Sequence, residues 1–150
     1  KILKALFISS LLAKYMRPSP EDLEDRTFFE QSTTLMLYTI AVAISQIANN
    51  DKIGQFSASH IVDGEIGFGI KDGPAVTIRA KNGRLVTIKK RCENPRAAME
   101  FASMDLARDL FDGKINAVAC IGMGAITMKG MISMIDNMNR LLDRVALYLA

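Results

Sequence analysis

The chain predicts an α+β fold: a five-stranded, mostly antiparallel sheet covered on one face by helices, with an N-terminal helical arm. Three observations predict it. The first third places apolar residues at helical spacing; the middle switches to period two; the last third returns to helical spacing around one short alternating stretch. At 150 residues and 49% apolar, the chain is one domain's worth and too apolar for disorder. A chain of that length buries roughly 68–70% of its unfolded surface, enough for a core that holds a cavity.

Ile2–Met16 reads as a helix, with Leu3, Leu6, Phe7, Leu11 and Tyr15 at helical spacing. Arg17-Pro18 stops it, because a residue before proline is pushed out of the α region. The lysines ahead of this apolar stretch outline a secretory signal, but no small-residue cleavage site marks a mature start, and a helix is the reading taken. A second helix should begin with Ser19 as N-cap, Pro20 in the first helical position, and Glu21 and Asp22 at the positive end of the dipole. A third runs from about Gln31 to Asn49. It is apolar over most of its circumference, through Leu35, Met36, Leu37, Tyr38, Ile40, Val42, Ile44 and Ile47, so burial on several sides is expected. Asp51–His60 is the candidate linker. It divides an arm, 1–50, from a body, 51–150, the arm packing on the body within one domain.

Ile66, Phe68 and Ile70 alternate with Glu65, Gly67, Gly69 and Lys71, a half-buried strand. Lys71-Asp72-Gly73-Pro74 turns the chain. Val76, Ile78 and Ala80 then alternate with Thr77, Arg79 and Lys81. Asn82-Gly83 marks a two-residue hairpin, whose central residues need positive φ. Val86 and Ile88 alternate with Thr87 and Lys89, which puts Val86 and Ile88 on the apolar face. Met99–Ala102 is a fourth strand. Ser103 caps a short helix whose apolar side is Met104, Ala107, Leu110 and Phe111, and Asp112-Gly113 closes it. Ile115–Ile121 reads as a further short helix, broken by Gly122 and Gly124. Ala125–Lys129 is a fifth strand with Ile126 and Met128 on one side. Ile132–Leu149 is amphipathic: Met131, Met134, Ile135, Met138, Leu141, Leu142, Val145 and Tyr148 form one stripe, opposite Asp136, Asn137, Arg140, Asp143 and Arg144.

Much chemistry is excluded by count. One His and two Cys cannot build the usual tetrahedral metal site, and no cofactor is expected. Cys92 and Cys120 lack redox spacing, which favours a reducing compartment and a cytoplasmic location. A net charge of +3 is far from a nucleic-acid footprint, so no nucleic-acid partner is expected. Lys89-Lys90-Arg91 with Arg96 is a small basic cluster without aromatics. It reads as a solvated strand end, with transient contact to an anionic membrane surface as the second reading. The apolar run Leu35–Ser45 is shorter than the ~20 residues a membrane span needs. His60, beside Ser57, Ser59 and Asp63, is the sole imidazole. A catalytic His60–Asp63 pair is weighed against a surface histidine, and the surface histidine is preferred: the chain is read as no enzyme. Gly64, Gly67 and Gly69 echo a phosphate loop, but they lie within a strand that no helix follows.

Methionine is the unusual residue. Met99, Met104, Met123, Met128, Met131, Met134 and Met138 are seven of the nine in the chain. The thioether side chain is unbranched and polarizable and fits irregular apolar guests. The elements that carry these residues should converge on one face of the sheet.

Leu110-Phe111-Asp112-Gly113-Lys114-Ile115, the small-residue run Ala117 to Gly124, and Ile126-Thr127-Met128-Lys129-Gly130 together resemble the sterol carrier protein type two family. Ile70 to Pro74, followed by Val76–Ala80 and Asn82-Gly83, looks like that family's first hairpins. The resemblance covers about residues 53–149, with a similar preceding helix at Tyr38–Asn50. Met131 stands where the family often has an acid, and Lys1 to Phe29 is extra to the basic domain. The resemblance implies an apolar tunnel between sheet and helices that binds a fatty acyl chain, sterol or phospholipid without chemistry. The wall expected from alternation and helical stripes is Ile66, Phe68, Ile70, Val76, Ile78 and Ile88 from the sheet. Phe101, Met104, Leu110, Phe111, Ile126, Met128, Met134, Ile135 and Met138 complete it. The alternative is a homodimeric structural module with a solid core and no ligand.

Overall fold

The computed structural model describes residues 1–115 and 117–149. The chain forms two compact units, Lys1–Met36 and Leu37–Ala150.

In the first unit, α1 spans Ile2–Met16 as expected, and Arg17 leaves the helical region at φ −134°. The second helix shrinks to a single 3-10 turn, Asp22–Glu24. Its start is built as read: the Asp22 N–H donates to Ser19 Oγ at 3.2 Å, and the Ser19 N–H donates to Asp22 Oδ2 at 3.1 Å. What shortens it is a second cap. Asp25 sits in extended backbone, and its Oδ1 accepts from the N–H groups of Thr27 and Phe28. That begins α2, Arg26–Asn50, five residues ahead of the expected Gln31.

The second unit holds α2 from Leu37 onward and the rest: α3 (Lys52–Ser59), β1 (Gly64–Ile70), β2 (Ala75–Lys81), β3 (Arg84–Ile88), β4 (Ala97–Phe101), α4 (Met104–Phe111), α5 (Ala117–Gly122), β5 (Ile126–Gly130) and α6 (Ile132–Leu149). The expected linker 51–60 is therefore mostly helix. Asp51 caps α3 by accepting from the Gly54 N–H at 2.8 Å, a signal available in the sequence.

The sheet order is β3-β2-β1-β4-β5. All neighbours are antiparallel except β1 and β4, which run parallel. The hairpin at Asn82-Gly83 forms with φ of 52° and 75°, as its chemistry demands. Between β3 and β4 the chain crosses the sheet face away from the helices. There the Lys90 carbonyl accepts from Thr77 Oγ1 at 2.8 Å, and the Arg96 N–H reaches the Glu65 carbonyl at 2.9 Å. Cys92 and Pro95 of this segment lie over Gly67.

On the other face, Ile66, Phe68, Ile70, Val76, Ile78, Leu85, Met99, Phe101 and Ile126 are buried. Leu37, Ile40, Ala41, Ile44, Ile47 and Ala48 of α2 join them, as do Ala58, Ala107, Met134, Met138, Leu141 and Val145. Each large side chain so buried contributes about 1.5–3 kcal/mol relative to exposure. The apolar surface of α2 is buried at Leu37, Ile40, Ile44 and Ile47, while Val42 is 48% exposed.

Candidate functional site

The apolar layer between the sheet and its helices is where the expected wall residues meet. Ile66, Phe68, Ile70, Val76, Ile78, Phe101, Ile126, Met134 and Met138 are buried in one cluster, with Met104, Leu110, Phe111, Met128 and Ile135 partly buried against it. Register explains the sheet's share. Ile66 pairs with Ile78, Phe68 with Val76 and Met99, and Ile70 with Phe101, so their side chains leave the sheet on one side. Phe101 forms the centre of an aromatic chain: its ring meets Phe68 edge to face at 5.7 Å and Phe111 at 5.6 Å. Such pairs add about 0.5–1.5 kcal/mol beyond burial.

Ile88 does not belong to this wall. It pairs with Thr77, while Thr87 pairs with Ile78 and Leu85 with Ala80. Leu85 and Thr87 therefore face the helices, and Val86, 57% exposed, faces away with Ile88. The cause is register: a two-residue turn at Asn82-Gly83 pairs Lys81 with Arg84, which fixes the parity of every later residue in the strand. That turn is itself legible in the sequence, so it could have placed Leu85 inside. Met99, expected on this face with the other methionines, is buried beside the wall, two residues from Phe101 on β4.

Of the seven clustered methionines, Met99, Met134 and Met138 are buried and Met104, Met128 and Met131 pack against the core. Met123 is 77% exposed and lies apart. The Asn139 amide approaches Met128 Sδ at 3.9 Å. Polar groups border the layer at two places. At the β3 edge, Thr87 Oγ1 donates to the Ala41 carbonyl at 2.7 Å and shares a 2.6 Å hydrogen bond with Ser45 Oγ. On α4, Arg108 is buried and bidentate to Asp112, both contacts 3.0 Å.

A third polar cluster ties α3 to α6. Asp51 accepts from Arg144 Nη2 and from the Tyr148 hydroxyl, each at 2.7 Å. Arg144, Tyr148 and the Gly54 N–H together hold the Asp51 carboxyl well below the usual carboxylate range. The same carboxylate pushes the Tyr148 phenol up.

His60 is exposed at the end of α3, its Nδ1 2.8 Å from the Phe56 carbonyl and 3.2 Å from Ser59 Oγ. Asp63 is engaged elsewhere, accepting from the Asn82 N–H at 2.8 Å. The basic cluster is likewise occupied. Lys89 lies over the Tyr38 ring, Lys90 pairs with Glu93, Arg91 donates to the Gly73 carbonyl and Arg96 to the Asp63 carbonyl. A cleft of ≈ 200 Å³ on the outer sheet face is lined by Thr77, Arg79, Ile88, Lys90 and Arg91, with Glu65, Glu93 and Asn94. Among the described residues no group of three or more His, Cys, Asp and Glu could hold a metal ion, and no helix is long and apolar enough to cross a membrane.

No protein-family model matches the chain, and no curated protein does. Solved structures do. The sterol carrier protein domain 2 of Helicoverpa armigera is similar over 74% of this chain and 88% of its own, at TM-score 0.56 and 20% identity. A crystal structure of sterol carrier protein 2 is similar over 74% of this chain and 93% of its own, at TM-score 0.53 and 14% identity. A conserved protein of Thermus thermophilus, described as possibly a sterol carrier protein, is similar over 75% and 87%, at TM-score 0.51 and 17% identity. The similarity is one of fold.

Proposed function

From the fold shared with sterol carrier protein 2 domains, we propose that residues 37–150 bind an apolar lipid between the sheet and its helices, a fatty acyl chain, a sterol or a phospholipid, and carry it without chemistry. The observation that supports this most is convergence. Strands, α2, α4 and α6 all send apolar side chains into one layer, and six of the seven clustered methionines lie in it or at its border.

The wall side chains touch one another, so a guest enters by displacing some of them. Methionine suits that role. It has three rotatable bonds and no branch, and it re-packs around varied shapes where Ile or Phe would resist. Affinity needs no catalytic group, because each methylene taken from water contributes about 0.8 kcal/mol. His60 and Asp63, held by separate backbone groups, have no part in this reading.

The test is extraction of the purified protein with organic solvent followed by mass spectrometry, with titration of a fluorescent fatty acid beside it. A co-purifying lipid, or saturable binding of the probe, supports the reading. Clean protein that also ignores the probe overturns it and leaves the solid-core module standing.

A further inference from the structure

We infer that α1 is a membrane-contacting element that seats in bilayers carrying anionic lipid. No residue of α1 is buried. Leu3, Phe7 and Leu12 are 83%, 66% and 52% exposed, and Ile2, Leu6 and Ile8 are exposed with them. A contiguous exposed apolar surface of this kind marks an interaction site.

The layout of charge says what covers it. Ala5–Ala13 carries no charge at all, Lys1 and Lys4 precede it, Lys14 and Arg17 follow it, and no acid stands before Glu21. An apolar middle with cations at both ends fits a lipid surface. The middle enters the acyl region, and the Lys1, Lys4 and Arg17 side chains extend to the phosphates, while Lys14 stays with Asp22. A second copy of α1 fits poorly. Packed in either direction, two such helices bring only cations together, and like charges across an interface oppose it.

The far end of the helix is held within its own unit. The Tyr15 ring stacks against Phe28 with centroids 4.7 Å apart, its hydroxyl donates to Gln31 Oε1 at 3.2 Å, and Lys14 pairs with Asp22 at 3.3 Å. Residues 2–13 extend from that anchorage with their apolar side chains in solvent. Membrane contact of this kind requires no lipid cargo.

The experiment is flotation of the full chain with vesicles of phosphatidylcholine alone and of phosphatidylcholine mixed with phosphatidylglycerol, alongside sedimentation velocity without vesicles. Wild type should float with the mixed vesicles and far less with the neutral ones. Leu6→Asp combined with Phe7→Asp should reduce flotation at least tenfold. These side chains are exposed, and circular dichroism checks the fold of the variant. Lys1→Ser with Lys4→Ser, which leaves the apolar surface intact, should weaken flotation with mixed vesicles alone. The inference is overturned if wild type floats with neither vesicle, if it floats equally with both, or if the double Asp variant floats as wild type does. It is also overturned if wild type sediments as a dimer that the Asp variant dissociates, with no flotation. Cargo extraction is read on the same preparation, so either conclusion can fail alone.

Discussion

Asn49 and Leu85 exchange two hydrogen bonds, the Asn49 amide donating to the Leu85 carbonyl at 2.8 Å and the Leu85 N–H donating to Asn49 Oδ1 at 2.9 Å. Leu85 lies on β3, an edge of the sheet, where backbone groups would otherwise lack a partner or recruit another chain. A carboxamide presents the same donor and acceptor as a peptide unit, so Asn49 stands in for a neighbouring strand. Replacing it strands both groups of a residue that is itself fully buried. Asn49→Ala should therefore lower stability in urea unfolding by about 1–3 kcal/mol. Asn50→Ala, next along the helix but exposed and bonded only to Gln46, should stay within about 0.5 kcal/mol.

The parity of β3 is tested by a pair of adjacent substitutions. Leu85→Ala removes a buried side chain and should cost about 2–5 kcal/mol. Val86→Lys, at a position 57% exposed, should change stability by about 0.5 kcal/mol or less. Equal losses at the two positions would contradict the register.

Asp51 gives the α3–α6 junction a pH dependence. Its carboxyl ionises more readily in the folded chain than at its ordinary value of 3.8, chiefly through Arg144, then Tyr148 and the Gly54 N–H. A carboxyl depressed in this way stabilises the fold at every pH above the unfolded value. It surrenders that stabilisation as the pH falls below it toward the folded value. Asp51→Asn keeps a good helix cap but loses the charge. Its melting temperature should lie below wild type by a constant margin between about pH 5 and 7, and the gap should close on acidification below about pH 4. A gap that persists unchanged into acid would show that the charge contributes nothing.

If a lipid chain occupies the apolar layer, affinity should grow with chain length. Each added methylene should tighten binding about fourfold, the equivalent of about 0.8 kcal/mol, until the layer is full. Displacement of a fluorescent fatty acid by a saturated series from short to long measures this. An affinity indifferent to chain length would assign the probe to the surface.

Where the sequence and the structure agree, the determinant is local. The stop at Arg17-Pro18, the cap at Ser103, the left-handed Gly113 and the turn at Asn82-Gly83 each act within a few residues, and each is found where the residues put it. The 3-10 turn departs for a local reason too, since Asp25 caps a new helix before the first has grown. The α6 stripe is legible because 18 residues of steady periodicity outweigh any single misplacement.

The amino-acid sequence by itself determined most elements of this protein, the mostly antiparallel sheet under helices, and most of the side chains buried between them. Those follow from caps, turns and periods that a segment carries regardless of its neighbours. Only the tertiary structure decided that β4 pairs parallel to β1, that the segment after β3 covers Gly67 and Thr77, and that the apolar side chains of α1 stay exposed. A strand does not state in its own residues which neighbour it pairs with or in which direction. A helix apolar on every side does not name its partner. In both cases the choice rests on which distant surface is there to receive the side chain, and that is a property of the folded chain alone.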